Sequence, residues 1–102
     1  MAELTDEEIA RNVQQGDIES FGLLMERYEA KISRYARKFL FSSEDANDRV
    51  QDVFMKTYAN IKSFKTRERF SPWIYRIAHN EFINALKKRG GEPIFYVDFD
   101  TL

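Results

Sequence analysis

Asn80 and Asn84, one helical turn apart, are the residues of this sequence best suited to recognition chemistry. A carboxamide carries both a donor and an acceptor and can bond the edge of a nucleic-acid base. Asparagine is also a poor helix former, roughly half a kcal/mol or more worse than alanine. Placed at 100° intervals, the two share a face with Trp73, Ile77 and Lys87, spaced i, i+4, i+7, i+11 and i+14. Ile77 and Phe64 can wall an apolar slot, and Lys87, Lys88 and Arg89 can neutralise phosphates beyond it. The face has a plainer reading, in which Trp73 and Ile77 are core and the asparagines are exposed by chance. The residues alone leave both open.

A second candidate face lies upstream. Asp48, Gln51, Asp52 and Met55 recur at i, i+3, i+4 and i+7, opposite a stripe of Ala46, Val50, Val53, Phe54, Thr57 and Ile61. Three polar residues there are ordinary solvated surface. Met55 is the anomaly, because a thioether exposed among acids is better explained by a protein contact.

Other chemistries lack their residues. His79 is the only histidine and there is no cysteine, so a His- or thiolate-based metal site has no second ligand. His79 reads as a partly exposed helical residue. The carboxylates are scattered, and there is neither a Gly-rich phosphate loop nor a nucleophile elbow. The expectation is a protein that is not an enzyme and uses no cofactor. The absence of cysteine also rules out a disulfide framework and fits a reducing cytoplasm. No apolar run approaches the roughly 20 residues of a membrane span.

The net charge of −1 conceals a gradient. Residues 1–61 carry 8 basic and 12 acidic side chains, residues 62–91 carry 8 and 2, and residues 92–102 carry three acids and no base. Salt screens exposed charges beyond about 8 Å, so a locally basic segment can hold a phosphate backbone within an acidic chain. A solvated helix end followed by a neutralising tail fits the same numbers.

Four helices must position these faces, in an all-α bundle. Thr5 and Glu8 form a capping-box pattern for a first helix over residues 5–15, which Gly16 ends. Asp17 is expected to cap a long second helix reaching about Phe41, with a stripe of Phe21, Leu24, Tyr28, Ile32, Tyr35, Ala36 and Phe39. Ser42 and Ser43 interrupt, and Glu44, Asp45 and Asp48 favour a new start, for a third helix to about Ile61. Residues 62–69 read as a basic loop around Phe64. Ser71-Pro72 starts the fourth helix, with a core face of Ile74, Ala78, Phe82, Ala85 and Leu86, and Gly90-Gly91 stops it after Arg89. One domain over residues 1–91 and a linker over residues 92–102 complete the expectation.

Read in order, these blocks resemble region 2 of extracytoplasmic-function (ECF) sigma factors, the bacterial promoter-reading subunits of RNA polymerase. The resemblance is carried by Val13-Gln14-Gln15-Gly16-Asp17, Phe21, Arg27-Tyr28, Glu44-Asp45-Ala46-Asn47-Asp48 and Val50-Gln51-Asp52-Val53-Phe54. It continues through Ser63-Phe64 and Phe70-Ser71-Pro72-Trp73-Ile74-Tyr75-Arg76-Ile77-Ala78-His79-Asn80, covering about residues 8–89. It implies that Asp48, Gln51, Asp52 and Met55 dock on the clamp helices of the polymerase β′ subunit. It further implies that Phe64, Lys65, Arg67, Arg69, Tyr75, Arg76, Ile77, Asn80 and Asn84 open the promoter −10 element and hold a flipped base of the single-stranded non-template strand, with Lys87 and Lys88 on the phosphates as their charge already suggests. Many members are held inactive by an anti-sigma protein, which adds a further class of partner. Complete members carry a second helical domain that reads the −35 element. None is present in these 102 residues, so the chain reads as an excised domain of a bacterial cytoplasmic protein in preference to an unusual short member. Two other classes fit less of the sequence. A purely protein-binding helical module would leave the asparagine face idle. A helix-turn-helix repressor would need a tighter turn than the eight residues before the fourth helix.

Overall fold

Local capping decides where the first and third helices begin. The computed structural model describes residues 3–39 and 41–88. Helix α1, Asp6–Gln14, opens on the expected capping box: the Glu8 amide donates to Thr5 Oγ1 at 3.1 Å, and the Thr5 amide donates to Glu8 Oε1 at 2.8 Å. Those bonds to Thr5 hold the Glu8 carboxyl below its ordinary pKa. Gly16, at φ +107°, ends the helix. The Gly16 and Asp17 amides donate back to the Val13 and Asn12 carbonyls, both at 3.0 Å, which is a Schellman closure. A side chain at Gly16 would meet nothing within 4 Å, so backbone conformation is what requires glycine here.

Asp17 does not cap the long second helix directly. It opens a single 3₁₀ turn, Ile18–Ser20, and its carboxylate accepts from Ser20 Oγ at 2.6 Å. Helix α2 follows as Phe21–Ala36 and closes in another 3₁₀ turn, Arg37–Phe39, short of Phe41. It must stop there because Ser42 takes an extended conformation to cap helix α3, Ser43–Asn60, accepting from the Asp45 amide at 3.1 Å. A third 3₁₀ turn, Ile61–Ser63, leads into the loop before helix α4, Phe70–Lys88. Pro72 lies in the first turn of α4, where a missing N–H is harmless. The Phe70 amide donates to a carboxylate oxygen of Glu7, 63 residues away, at 2.7 Å. An acid on α1 thus satisfies the start of α4 and complements its dipole. Gly90-Gly91 and the linker assigned to residues 92–102 lie outside the described residues.

The core follows the expected stripes, except that Ala46, Ala85 and Leu86 are only half-buried. Phe21, Leu24, Tyr28, Ile32, Tyr35, Ala36 and Phe39 are buried, as are Val50, Val53, Phe54, Thr57 and Ile61. Tyr35 is its aromatic hub, with rings of Phe39 at 5.2 Å, Tyr75 at 5.5 Å and Phe82 at 5.9 Å between centroids. Burial pushes the Tyr35 hydroxyl up to about 12. The Tyr28 hydroxyl and the Arg27 guanidinium both bond the Asp6 carboxylate, tying the start of α1 to α2. No helix among the described residues is long and apolar enough to cross a membrane.

Candidate nucleic-acid and protein interfaces

The outer side of α3 carries Asp48, Gln51 and Met55 exposed, with Met55 69% accessible. Asp52 is half-buried because Arg49 holds its carboxylate at 3.2 Å. Gln51 and Met55 line a groove of about 530 Å³ between α2 and α3, floored by Phe21, Val50 and Phe54. Met25 of α2 and Tyr58 of α3, 41% and 42% accessible, complete its walls. Sequence reasoning missed Met25 and Tyr58. Their signal was apolar character off the buried stripe, the feature that singled out Met55.

The face of α4 is built as its spacing implies. Asn80, Asn84, Lys87 and Lys88 are exposed, and Trp73 and Ile77 are half-buried beside them. Arg76 is exposed, as are Lys65, Arg67 and Arg69 in the preceding loop. Two expected contributors lie elsewhere. Phe64 is 3% accessible, packed at 5.3 Å against Phe70 and 5.1 Å against Trp73. Its ring supports Trp73 from beneath and offers no face to a base, so Trp73 and Ile77 supply the apolar surface there. Tyr75 is 7% accessible and points into the hub at Tyr35, because it shares the inner side of α4 with Ile74, Ala78 and Phe82. His79 is half-buried, as expected, with Nδ1 2.8 Å from the Tyr35 hydroxyl, and burial lowers its pKa.

Glu81 was not singled out in the sequence, and the structure buries it. Its carboxylate lies between Lys56 and Arg49, the latter at 3.8 Å, and links α4 to the helix bearing the acidic face. A second omission is the run Lys31, Arg34, Arg37 and Lys38, on α2 and the 3₁₀ turn that closes it, exposed and without an acid among them. Counting charge over residues 1–61 as one block hid it. Among the described residues no cluster of three or more His, Cys, Asp or Glu side chains is placed to hold a metal ion.

These features define a class: an all-helical recognition domain with an acidic, apolar-grooved face and a separate basic face bearing asparagines. Residues 24–92 match the family Sigma-70 region 2. The chain is 42% identical over 91% of its length to the ECF RNA polymerase sigma-E factor of Haemophilus influenzae, of which it covers 49%. An NMR structure of an engineered region 2 of sigmaE in complex with GTAAAA superposes with a TM-score of 0.81 at 40% identity, covering 88% of this chain and 95% of that one. CnrH in complex with the cytosolic domain of CnrY superposes with a TM-score of 0.73 at 28% identity, covering 78% and 51%. The chain belongs to the sigma-70 region 2 family and is similar to ECF members of it. It spans about half the length of the curated relatives it matches.

Proposed function

We propose that this domain binds core RNA polymerase through α3 and holds the single-stranded non-template strand of a promoter −10 element on α4. The observation that carries the reading is the ladder Trp73, Ile77, Asn80, Asn84 and Lys87 on one accessible face of α4. Fourteen residues of helix rise about 21 Å, the length of about six stacked nucleotides at 3.4 Å each. A sigmaE region 2 that shares this fold is in complex with a six-letter strand, GTAAAA. Extruding a base forfeits stacking worth a few kcal/mol. Half-exposed Trp73 and Ile77 replace part of that contact, and the carboxamides of Asn80 and Asn84 bond the base edge. Lys87, Lys88 and Arg76 neutralise phosphates without reading sequence, while the loop donors Lys65, Arg67 and Arg69 reach the extruded base beside the carboxamides.

On α3 the groove between Met25 and Met55 accepts apolar side chains of a polymerase helix, while Asp48, Gln51 and Asp52 meet its polar rim. An anti-sigma protein that covered this groove would exclude the polymerase. CnrH, which is in complex with a cytosolic protein domain, has the same fold and supports that second occupancy. The test is a titration of the chain with GTAAAA and a scrambled strand, together with a pull-down of core polymerase. Equal affinity for both strands would remove the DNA half of the proposal, and failure to retain polymerase would remove the other half.

A further inference from the structure

We propose that α1 positions the loop between α3 and α4, and that Glu7, Arg11 and Gln14 thereby determine the base preference of the −10-reading face. The inference rests on the functional reading above and adds to it residues of a helix that lies outside the family match at 24–92. The three side chains fall at i, i+4 and i+7, on one side of α1. Gln14 Nε2 donates to the carbonyls of Ile61 and Phe64, at 2.8 and 2.7 Å. It thereby clamps a turn in which the Phe64 amide already donates to the Ile61 carbonyl at 3.1 Å. Arg11 Nη2 donates to Thr66 Oγ1 at 3.2 Å, in the middle of the loop. Glu7 accepts from the Phe70 amide at 2.7 Å, at its end. Together these hydrogen bonds tie residues 61–70 to a distant part of the chain.

The loop has little else to shape it. From Phe64 to Phe70 an extended chain would reach about 20 Å, whereas Glu7 and Gln14 stand only about 10 Å apart along α1. The segment is therefore folded back, with the Glu68 amide donating to the Lys65 carbonyl at 2.9 Å at its tip. None of residues 65–69 is buried, so no core packing of their own holds them in place. Phe64 and Phe70 anchor the two ends in the core, and α1 sets the path between them. Base reading needs donors placed to within about 0.5 Å, which a loop free to move does not provide. Cations that merely neutralise phosphate tolerate such motion. Loss of the clamp should therefore blur base choice more than it weakens binding.

The test uses the 102-residue chain, GTAAAA and single strands changed at one position at a time. Gln14→Glu keeps the side-chain volume but sets an acceptor against two carbonyls, and Gln14→Lys restores donors. Gln14→Glu is expected to lose discrimination by about tenfold at the affected position, with affinity for strands lacking the preferred base changed by less than about threefold. Gln14→Lys should recover the discrimination. Arg11→Ala removes only an exposed hydrogen bond, keeps the chain folded and should blur discrimination by a smaller factor. Melting curves run beside each titration. A lowered melting temperature with discrimination intact would show that α1 only supports the fold, and would overturn the inference. So would an equal loss for every strand. A parent chain that prefers no strand overturns the functional reading itself, a failure visible before any variant is compared.

Discussion

The outer faces of α3 and α4 are both accessible, yet they differ in charge, in apolar content and in what supports them. On α3, Asp48, Gln51 and half-buried Asp52 border a groove walled by Met25 and Met55. Flexible thioethers adapt to a partner's side chains, and carboxylates repel a phosphate backbone, so this face suits a protein and disfavours DNA. On α4, Asn80, Asn84, Lys87 and Lys88 stand over half-buried Trp73 and Ile77, with Phe64 packed beneath Trp73. The acidic face depends on side chains that can be changed with little effect on the core. The basic face depends on the core directly. A net charge of −1 is the sum of segments of opposite sign, and says little about either face.

The largest expected effect breaks the comparison at its support. Phe64→Ala should destabilise the chain by about 3–5 kcal/mol, the range for an aromatic removed from a packed core. It should lower affinity for every strand by unfolding the chain, with no change of base preference in the fraction still folded. A variant that kept the parental melting temperature would mean that the ring is not core. Next, Asn80→Ala should reduce discrimination between the preferred base and its alternatives by about 1–3 kcal/mol. Capture of core polymerase should be unchanged. A panel of strands varied at one position at a time measures this, and uniform losses would demote Asn80 to a supporting role.

The reciprocal variant sharpens the other side. Gln51→Ala with Asp52→Lys should weaken binding of core polymerase by about 1–2 kcal/mol, the range for an interface residue that matters. Stability should move by about 0.5 kcal/mol or less, even though Asp52 gives up its surface pair with Arg49. Undiminished polymerase binding would move the docking face elsewhere. The smallest effect concerns salt. Lys87→Ala with Lys88→Ala should weaken all strands alike and flatten the salt dependence, by about 0.7 in slope for each phosphate no longer neutralised. A loss confined to one sequence would mean that these lysines read bases.

Much of this was legible before any coordinates. The capping box at Thr5, the glycine that ends α1 and the acids in the first turn of α3 are signals contained within four or five residues. The buried stripes of α2 and α3 follow from helical periodicity, and so do the accessible positions of Met55, Asn80 and Asn84. Errors arose where burial is set by contacts distant in the chain. Tyr75 sits at the boundary of α4's inner side, and only the position of Tyr35, 40 residues earlier in the chain, turns it inward. Phe64, in an irregular segment, has no period to read at all.

The sequence by itself determined the helices, the cap of α1 and the apolar stripes, because each of these is written in residues that are neighbours along the chain or one turn apart. The family is legible as several such blocks in order. Tertiary structure alone decided which polar groups answer one another. The Glu7 carboxylate at the first amide of α4, Gln14 across two loop carbonyls and Glu81 between Arg49 and Lys56 join residues 25 to 63 positions apart. A carboxylate or carboxamide on a helix reads as solvated surface until a partner is brought within hydrogen-bond distance. Closing those long separations takes the burial of the whole apolar core, which no local pattern encodes.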